Sequence, residues 1–170
     1  MEDPVMPMSE TVSEFGVISD THGLLRPEIV TFLKGVSRIL HAGDVGSSQV
    51  LRELEKIAPV TAVRGNSDSG MLAAFLNDTE LIDMGEYKIH LLHDLHHLSL
   101  DPHAAGIRLV ISGHTHTPAF RTIDGVTYLN PGSAGPKRPG KPISAARVAH
   151  GNGRFTVRPF VLESPRPRAE

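Results

Sequence analysis

The chain predicts an α/β fold whose first half is parallel and whose second half is built from hairpins. Up to Val63, short apolar runs alternate with amphipathic segments of helical period, and from Leu81 onward apolar runs come in pairs around glycine-containing turns. A third observation points the same way. Polar residues able to bind metal follow those runs directly, where the loops of an α/β sheet converge.

Phe15 to Ser19 reads as a buried strand, Pro27 to Leu33 as a short helix with proline in its first turn, and Arg38 to His41 as the next strand. Ser47 or Ser48 can cap a helix to about Lys56 that shows Val50, Leu51, Leu54 and Ile57 on one face, and the strand Val60 to Val63 follows. Strands joined through helices run the same way, so this half predicts a parallel sheet. Later, Leu81 to Met84 and Lys88 to Leu92 flank Gly85-Glu86, Ala119 to Ile123 and Val126 to Leu129 flank Asp124-Gly125, and Ile143 to Ala149 and Phe155 to Val161 flank Gly151-Asn152-Gly153. Such turns predict hairpins and antiparallel pairing. Between them Ile107 to Ile111 is apolar on both faces, the mark of a strand covered on both sides.

A length of 170 residues with 39% apolar content suits one domain with a real core, expected over 14–163. Residues 1–13 carry prolines and acids without the pattern of a signal peptide and are expected to be a disordered extension; 164–170, rich in proline and charge, are expected to fray. The formal charge of −2 provides no global field for nucleic acid or an anionic membrane, so recognition of an anion must be local. No apolar stretch reaches the length of a membrane span. There is no cysteine, which removes thiolate nucleophiles and sulfur ligands and fits residence in the cytoplasm. A small-molecule partner is expected, with oligomerisation left open.

The chemistry lies at the strand exits. Asp20-Thr21-His22, Gly43-Asp44, Gly65-Asn66, His93 and Gly113-His114-Thr115-His116 follow apolar runs in that order. Taken singly each is ordinary: Asp-x-His is usually a turn closed by an Asx bond, Gly-Asp and Gly-Asn are turn dipeptides, and His-x-His can be surface. Together they supply hard oxygen and imidazole ligands in the mixture that two close divalent cations require, with one carboxylate free to bridge.

With Asn130-Pro131-Gly132-Ser133 behind them, these motifs resemble the calcineurin-like metallophosphoesterases, in particular the small phosphodiesterases of the YfcE type, over roughly Phe15 to Phe160. The resemblance implies a four-layer α/β/β/α sandwich of two mixed sheets. It implies Asp20, His22, Asp44 and His116 on one metal and Asn66, His93 and His114 on the other, with Asp44 shared. It implies hydrolysis of a phosphate ester, with a hydroxide bridging the metals attacking in line. Asp44, Asn66, Asp68 and His93 are the expected catalytic residues, and Arg64 and Arg138 the expected substrate contacts, Lys137 being assigned to a solvated loop. Mn²⁺ is the expected metal, with Ni²⁺, Zn²⁺, Fe²⁺ and Mg²⁺ also compatible with the ligand set. His41, just before the Gly-Asp turn, is either a positioning group for a ligand or a buried histidine with a backbone partner.

The chain departs from the family pattern twice. Ser67 follows Asn66, where phosphomonoesterase relatives carry the histidine that protonates the leaving group, which favours a diester. His93-Asp94-Leu95 stands where this branch usually reads His-Gly-His, which leaves Asp94, His96 and His97 without an assigned role. Two other classes are weighed: a non-catalytic scaffold of the same fold, disfavoured because every ligand position is filled, and a metallo-β-lactamase-like hydrolase, set aside because Pro118 and Ala119 interrupt the run that class needs.

Overall fold

A computed structural model describes residues 13–162. The extension and tail expected at 1–13 and 164–170 lie, Ser13 apart, outside the described residues. The chain runs β1 (Glu14–Ile18), α1 (Pro27–Leu33), β2 (Ile39–His41), α2 (Ser48–Glu55), β3 (Val60–Ala62), α3 (Gly70–Phe75), β4 (Thr79–Asp83), β5 (Lys88–Leu92), a 3₁₀ turn at Leu95–His97, β6 (Ile107–Ile111), β7 (Ala119–Ile123), β8 (Val126–Asn130), β9 (Ile143–Gly151) and β10 (Arg154–Leu162). Proline at the start of α1 has no N–H to leave unpaired, and Ser47 caps α2 by accepting the Gln49 N–H at 3.2 Å. The helix α3 is not foreshadowed by the apolar pattern: it has no side-chain cap and no buried residue.

Two five-stranded sheets form, ordered β10-β9-β1-β2-β3 and β4-β5-β6-β8-β7. All three predicted hairpins are present, but they do not make one antiparallel sheet. The β9/β10 hairpin joins the first sheet by pairing antiparallel to β1, whereas β5, β6 and β8 run parallel inside the second. Both sheets are therefore mixed.

Alternation along the strands decides the layers. Val17, Leu40, Leu91 and Ile111 point between the sheets, and their neighbours Ile18, Ile39, Leu92 and Val110 point outward. The outward face of the first sheet meets Ile29 and Leu33 of α1 and Val50 and Leu54 of α2, each such buried side chain contributing about 1.5–3 kcal/mol. The outward face of the second sheet is covered by Leu95 and Leu98 around the 3₁₀ turn, so the fourth layer is thin. A register slip between Lys88 and Ile89 turns Ile107 to the outer core and Leu109 to the inner one.

Candidate metal centre

The carboxyl ends of β1, β2 and β3 in one sheet and of β5 and β6 in the other open at the same end of the sandwich, and the predicted ligands sit on the loops that leave them. Of seven non-glycine residues with positive φ among the described residues, five are Asp20 (55°), His22 (45°), Asp44 (53°), His114 (68°) and His116 (57°). The other two, Asp124 and Asn152, are hairpin-turn residues. Left-handed backbone costs a side chain free energy and persists where the surroundings over-determine it, so its concentration on the ligand set marks a functional cluster.

Two groups of donor atoms converge: Asp20, His22 and His116, and Asp20, Asp44 and His93. Asp20 is fully buried; its Oδ2 accepts the His114 N–H at 3.1 Å while its Oδ1 has no hydrogen-bond partner. That free oxygen faces His116 Nε2 at 3.2 Å and His22 Nε2 at 4.0 Å. Burial raises the Asp20 pKa and lowers that of His116. A buried acceptor with no donor, ringed by imidazole nitrogens, is what a divalent cation would satisfy, so the donor set fits.

His93 shows which way its ring is wired. Its Nδ1 donates to the Ala42 carbonyl at 2.7 Å, which leaves Nε2 aimed at Asn66 Oδ1 (2.9 Å) and Asp44 Oδ2 (3.4 Å). An imidazole that gives its other N–H to a backbone carbonyl is the usual support of a metal-ligating histidine. Burial opposes its protonation, but the Asp44 carboxylate and the Ala42 carbonyl outweigh it and raise the pKa; a cation would take the place of that proton. Asp44 Oδ2 also lies 3.7 Å from His22 Nε2, and Oδ1 accepts the Ser67 N–H at 2.8 Å. Burial works against its ionisation too, yet the hydrogen bonds from His93 and Ser67 prevail and hold its carboxyl below the ordinary range. His114 joins through Nδ1, 3.0 Å from Asn66 Oδ1.

Close approach of these loops depends on glycine. A Cβ on Gly65 would lie 2.1 Å from the Asp44 backbone N and from its Oδ1, and one on Gly43 would enter the His93 ring at 2.6 Å.

The supporting groups are mostly ones that sequence reasoning left without a role. Thr21 Oγ1 donates to the Val45 carbonyl at 3.0 Å, so at its 2.8 Å contact it accepts from His41 Nε2, while His41 Nδ1 accepts the Gly43 N–H at 3.2 Å. His41 is thus a neutral brace between the first two ligand loops, its pKa lowered by burial to about 4. Asn130 Nδ2 donates to Gly113 O at 2.7 Å and Ser133 Oγ to Asp20 O at 3.0 Å, which pins the His114 and Asp20 loops.

The remaining predicted residues divide. Asp68 turns both carboxylate oxygens onto backbone N–H groups, those of Val45 (3.2 Å), Gly46 (2.8 Å) and Gly65 (2.9 Å), so it ties the Asp44 loop to the Asn66 loop. Arg64 is paired with Asp78 and donates to the Ala73 carbonyl at 3.2 Å, and with Asn66, His93, Asp94, His97 and His114 it lines a cavity of about 380 Å³. Arg138 reaches His22, Nη2 to Nε2 3.4 Å, and Lys137 is exposed. A larger cavity of about 430 Å³, lined by Tyr87, Arg108, His150 and Arg154, includes none of the candidate ligands.

Residues 14–153 match the model of the calcineurin-like phosphoesterase superfamily domain. The chain belongs to that family. It is 38% identical over 133 residues to a probable metallophosphoesterase of Methanothermobacter thermautotrophicus, covering 69% of this chain and 75% of that one. With a phosphodiesterase of Methanocaldococcus jannaschii it shares 33% identity over 138 residues, 70% of this chain and 82% of that protein. Among solved structures, a novel archaeal phosphodiesterase superposes with a TM-score of 0.75 at 23% identity, over 88% of this chain and 99% of the other. Vps29 of Entamoeba histolytica complexed with Zn²⁺ does so with a TM-score of 0.62 at 22% identity, over 87% and 98%. A calcineurin-like phosphoesterase is a metal-dependent hydrolase, and the buried donor set described here is its candidate centre. No helix among the described residues is long and apolar enough to cross a membrane.

Proposed function

We propose that the protein is a phosphodiesterase working with two divalent cations, one on Asp20, His22, Asp44 and His116 and one on Asn66, His93 and His114, with Asp44 shared. The observation that carries this reading is the placement of Asp44 Oδ2 between the His22 and His93 imidazoles, at 3.7 and 3.4 Å. Bound cations would supply Lewis acidity and make water a nucleophile near neutral pH, with Mn²⁺ the expected metal and Fe²⁺, Ni²⁺ or Zn²⁺ equally compatible with the mixed ligand set.

The chain's own residues hold and orient. Asp44, Asn66 and His93 keep their acceptor atoms turned inward, His93 by giving its Nδ1 proton to Ala42. Asp68 acts through the Asp44 loop it braces. Arg138, beside His22, is placed to receive a phosphoryl oxygen, and Arg64, steadied by Asp78, lines the cavity that would take one ester arm. No protein nucleophile is called for: cysteine is absent, and the Ser19 and Thr21 hydroxyls donate to backbone carbonyls. Ser67 leaves no imidazole acid at its position, so a diester with a good leaving group suits the site better than an alkyl monoester. The absence of cysteine supports a cytoplasmic setting for such a small phosphate-ester hydrolase.

A protein-binding role without catalysis is the second reading. The exposed Met71 and Phe75 of α3, at 81% and 86%, speak for it; a filled ligand set speaks against. Purified protein stripped with chelator and reloaded with Mn²⁺ should hydrolyse bis(p-nitrophenyl) phosphate, and EDTA should abolish it. Two equivalents of bound metal without hydrolysis of any diester would favour the scaffold.

A further inference from the structure

Asp94 leaves β5 one residue after His93 and divides its two oxygens between different tasks. Oδ1 caps the 3₁₀ turn, accepting the His96 N–H at 3.0 Å and contacting His96 Nδ1 at 2.9 Å. Oδ2 faces His114 Nε2 at 3.8 Å. The other nitrogen of that ring, Nδ1, is the one on Asn66 Oδ1 at 3.0 Å, so a ligand bond would form there and the ring proton would sit on Nε2, toward Asp94. The His114 side chain is 41% exposed on left-handed backbone, and Asp94 is the carboxylate that faces its Nε2; His93, by contrast, is buried with its Nδ1 tied to Ala42.

We infer that Asp94 is a positioning residue for the metal site of Asn66, His93 and His114, closing from 3.8 Å onto the His114 Nε2–H when a cation is bound. This rests on the two-metal reading above. Its carboxylate fixes the ring plane and tautomer and adds negative charge beside the cation, the part outer carboxylates play around ligating imidazoles. The other oxygen is held by the His96 backbone N–H at 3.0 Å, a bond that replacing the 88% exposed His96 side chain leaves in place.

The test is Mn²⁺ binding to chelator-stripped protein, followed by calorimetric titration, with the melting temperature of the metal-free protein as a control on folding. Wild type should bind two equivalents. Asp94→Ala should weaken one of the two sites by about 10- to 100-fold and leave the other within about threefold, while His96→Ala should leave both within about threefold. Asp94→Asn, a second variant that keeps one acceptor oxygen, should fall between wild type and Asp94→Ala at the same site. Unchanged affinities in Asp94→Ala, or equal loss at both sites, overturn the inference while the two-metal reading stands. A wild type that binds no Mn²⁺ overturns both.

Discussion

His93 Nε2 lies 3.4 Å from Asp44 Oδ2, and the two residues leave strands of different sheets. The contact is therefore where the halves of the sandwich meet chemically, and the same Asp44 oxygen is 3.7 Å from His22 Nε2.

Asp44→Ala is expected to lose metal and activity together. Asp68→Asn is expected to keep about two equivalents of Mn²⁺ but to melt earlier, because one of its oxygens becomes an NH₂ facing backbone donors, a defect of about 1–3 kcal/mol. Elemental analysis and thermal melts of both variants separate the roles. Metal retained in Asp44→Ala would remove the bridge.

Gly65→Ala puts a methyl group 2.1 Å from the Asp44 carboxylate and backbone, neither of which can move without leaving the cluster. A fall in kcat/KM of at least about 100-fold, equivalent to about 3 kcal/mol, is expected with Mn²⁺ in excess. Gly151→Ala, at the end of β9 with no atom within 4 Å and no positive φ, should leave kcat/KM within about twofold. Similar kinetics in Gly65→Ala and wild type would mean that the two loops do not need to pack this closely.

Stability of the metal-free protein should depend on pH through His41. Its pKa is lowered from 6.5 to about 4 by burial, so between those values the unfolded chain binds a proton that the folded chain refuses. The stabilisation is full above pH 6.5 and is lost progressively down to about pH 4, amounting to about 3 kcal/mol. His41→Asn keeps an acceptor for the Gly43 N–H, loses the donor to Thr21, and should be less stable at pH 7.5 with a shallower decline toward pH 4.5. Urea unfolding in chelator measures this; parallel declines in the two proteins would count against it.

Substrate choice follows from Ser67, whose exposed hydroxyl lies 3.4 Å from His22 Nδ1 and offers no imidazole proton. With Mn²⁺, bis(p-nitrophenyl) phosphate should be cleaved faster than p-nitrophenyl phosphate, and Ser67→His should raise the monoester rate relative to the diester rate. A wild type that prefers the monoester would direct attention to His97, which lines the adjoining cavity.

Local chemistry by itself determined most of the elements and singled out the candidate ligands, while α3, with no side-chain cap and no buried residue, left no mark in the pattern. Asp124-Gly125 and Asn152-Gly153 specify their turns through residues that tolerate positive φ, Pro27 and Ser47 start their helices, and Asp20, His22, Asp44, Asn66, His93, His114 and His116 are visible because each follows an apolar strand. Only the tertiary structure decided which strands pair. An apolar run such as Ile107–Ile111 suits a central place in either sheet, and its parallel neighbours β5 and β8 come from hairpins whose own signals are antiparallel. It also decided what the long side chains do. Asp68, two residues from Asn66, turns to backbone N–H groups, Asp94 divides its oxygens between a cap and His114, and Arg64 finds Asp78, because each satisfies partners brought near by folding, and sequence spacing carries no information about those distances.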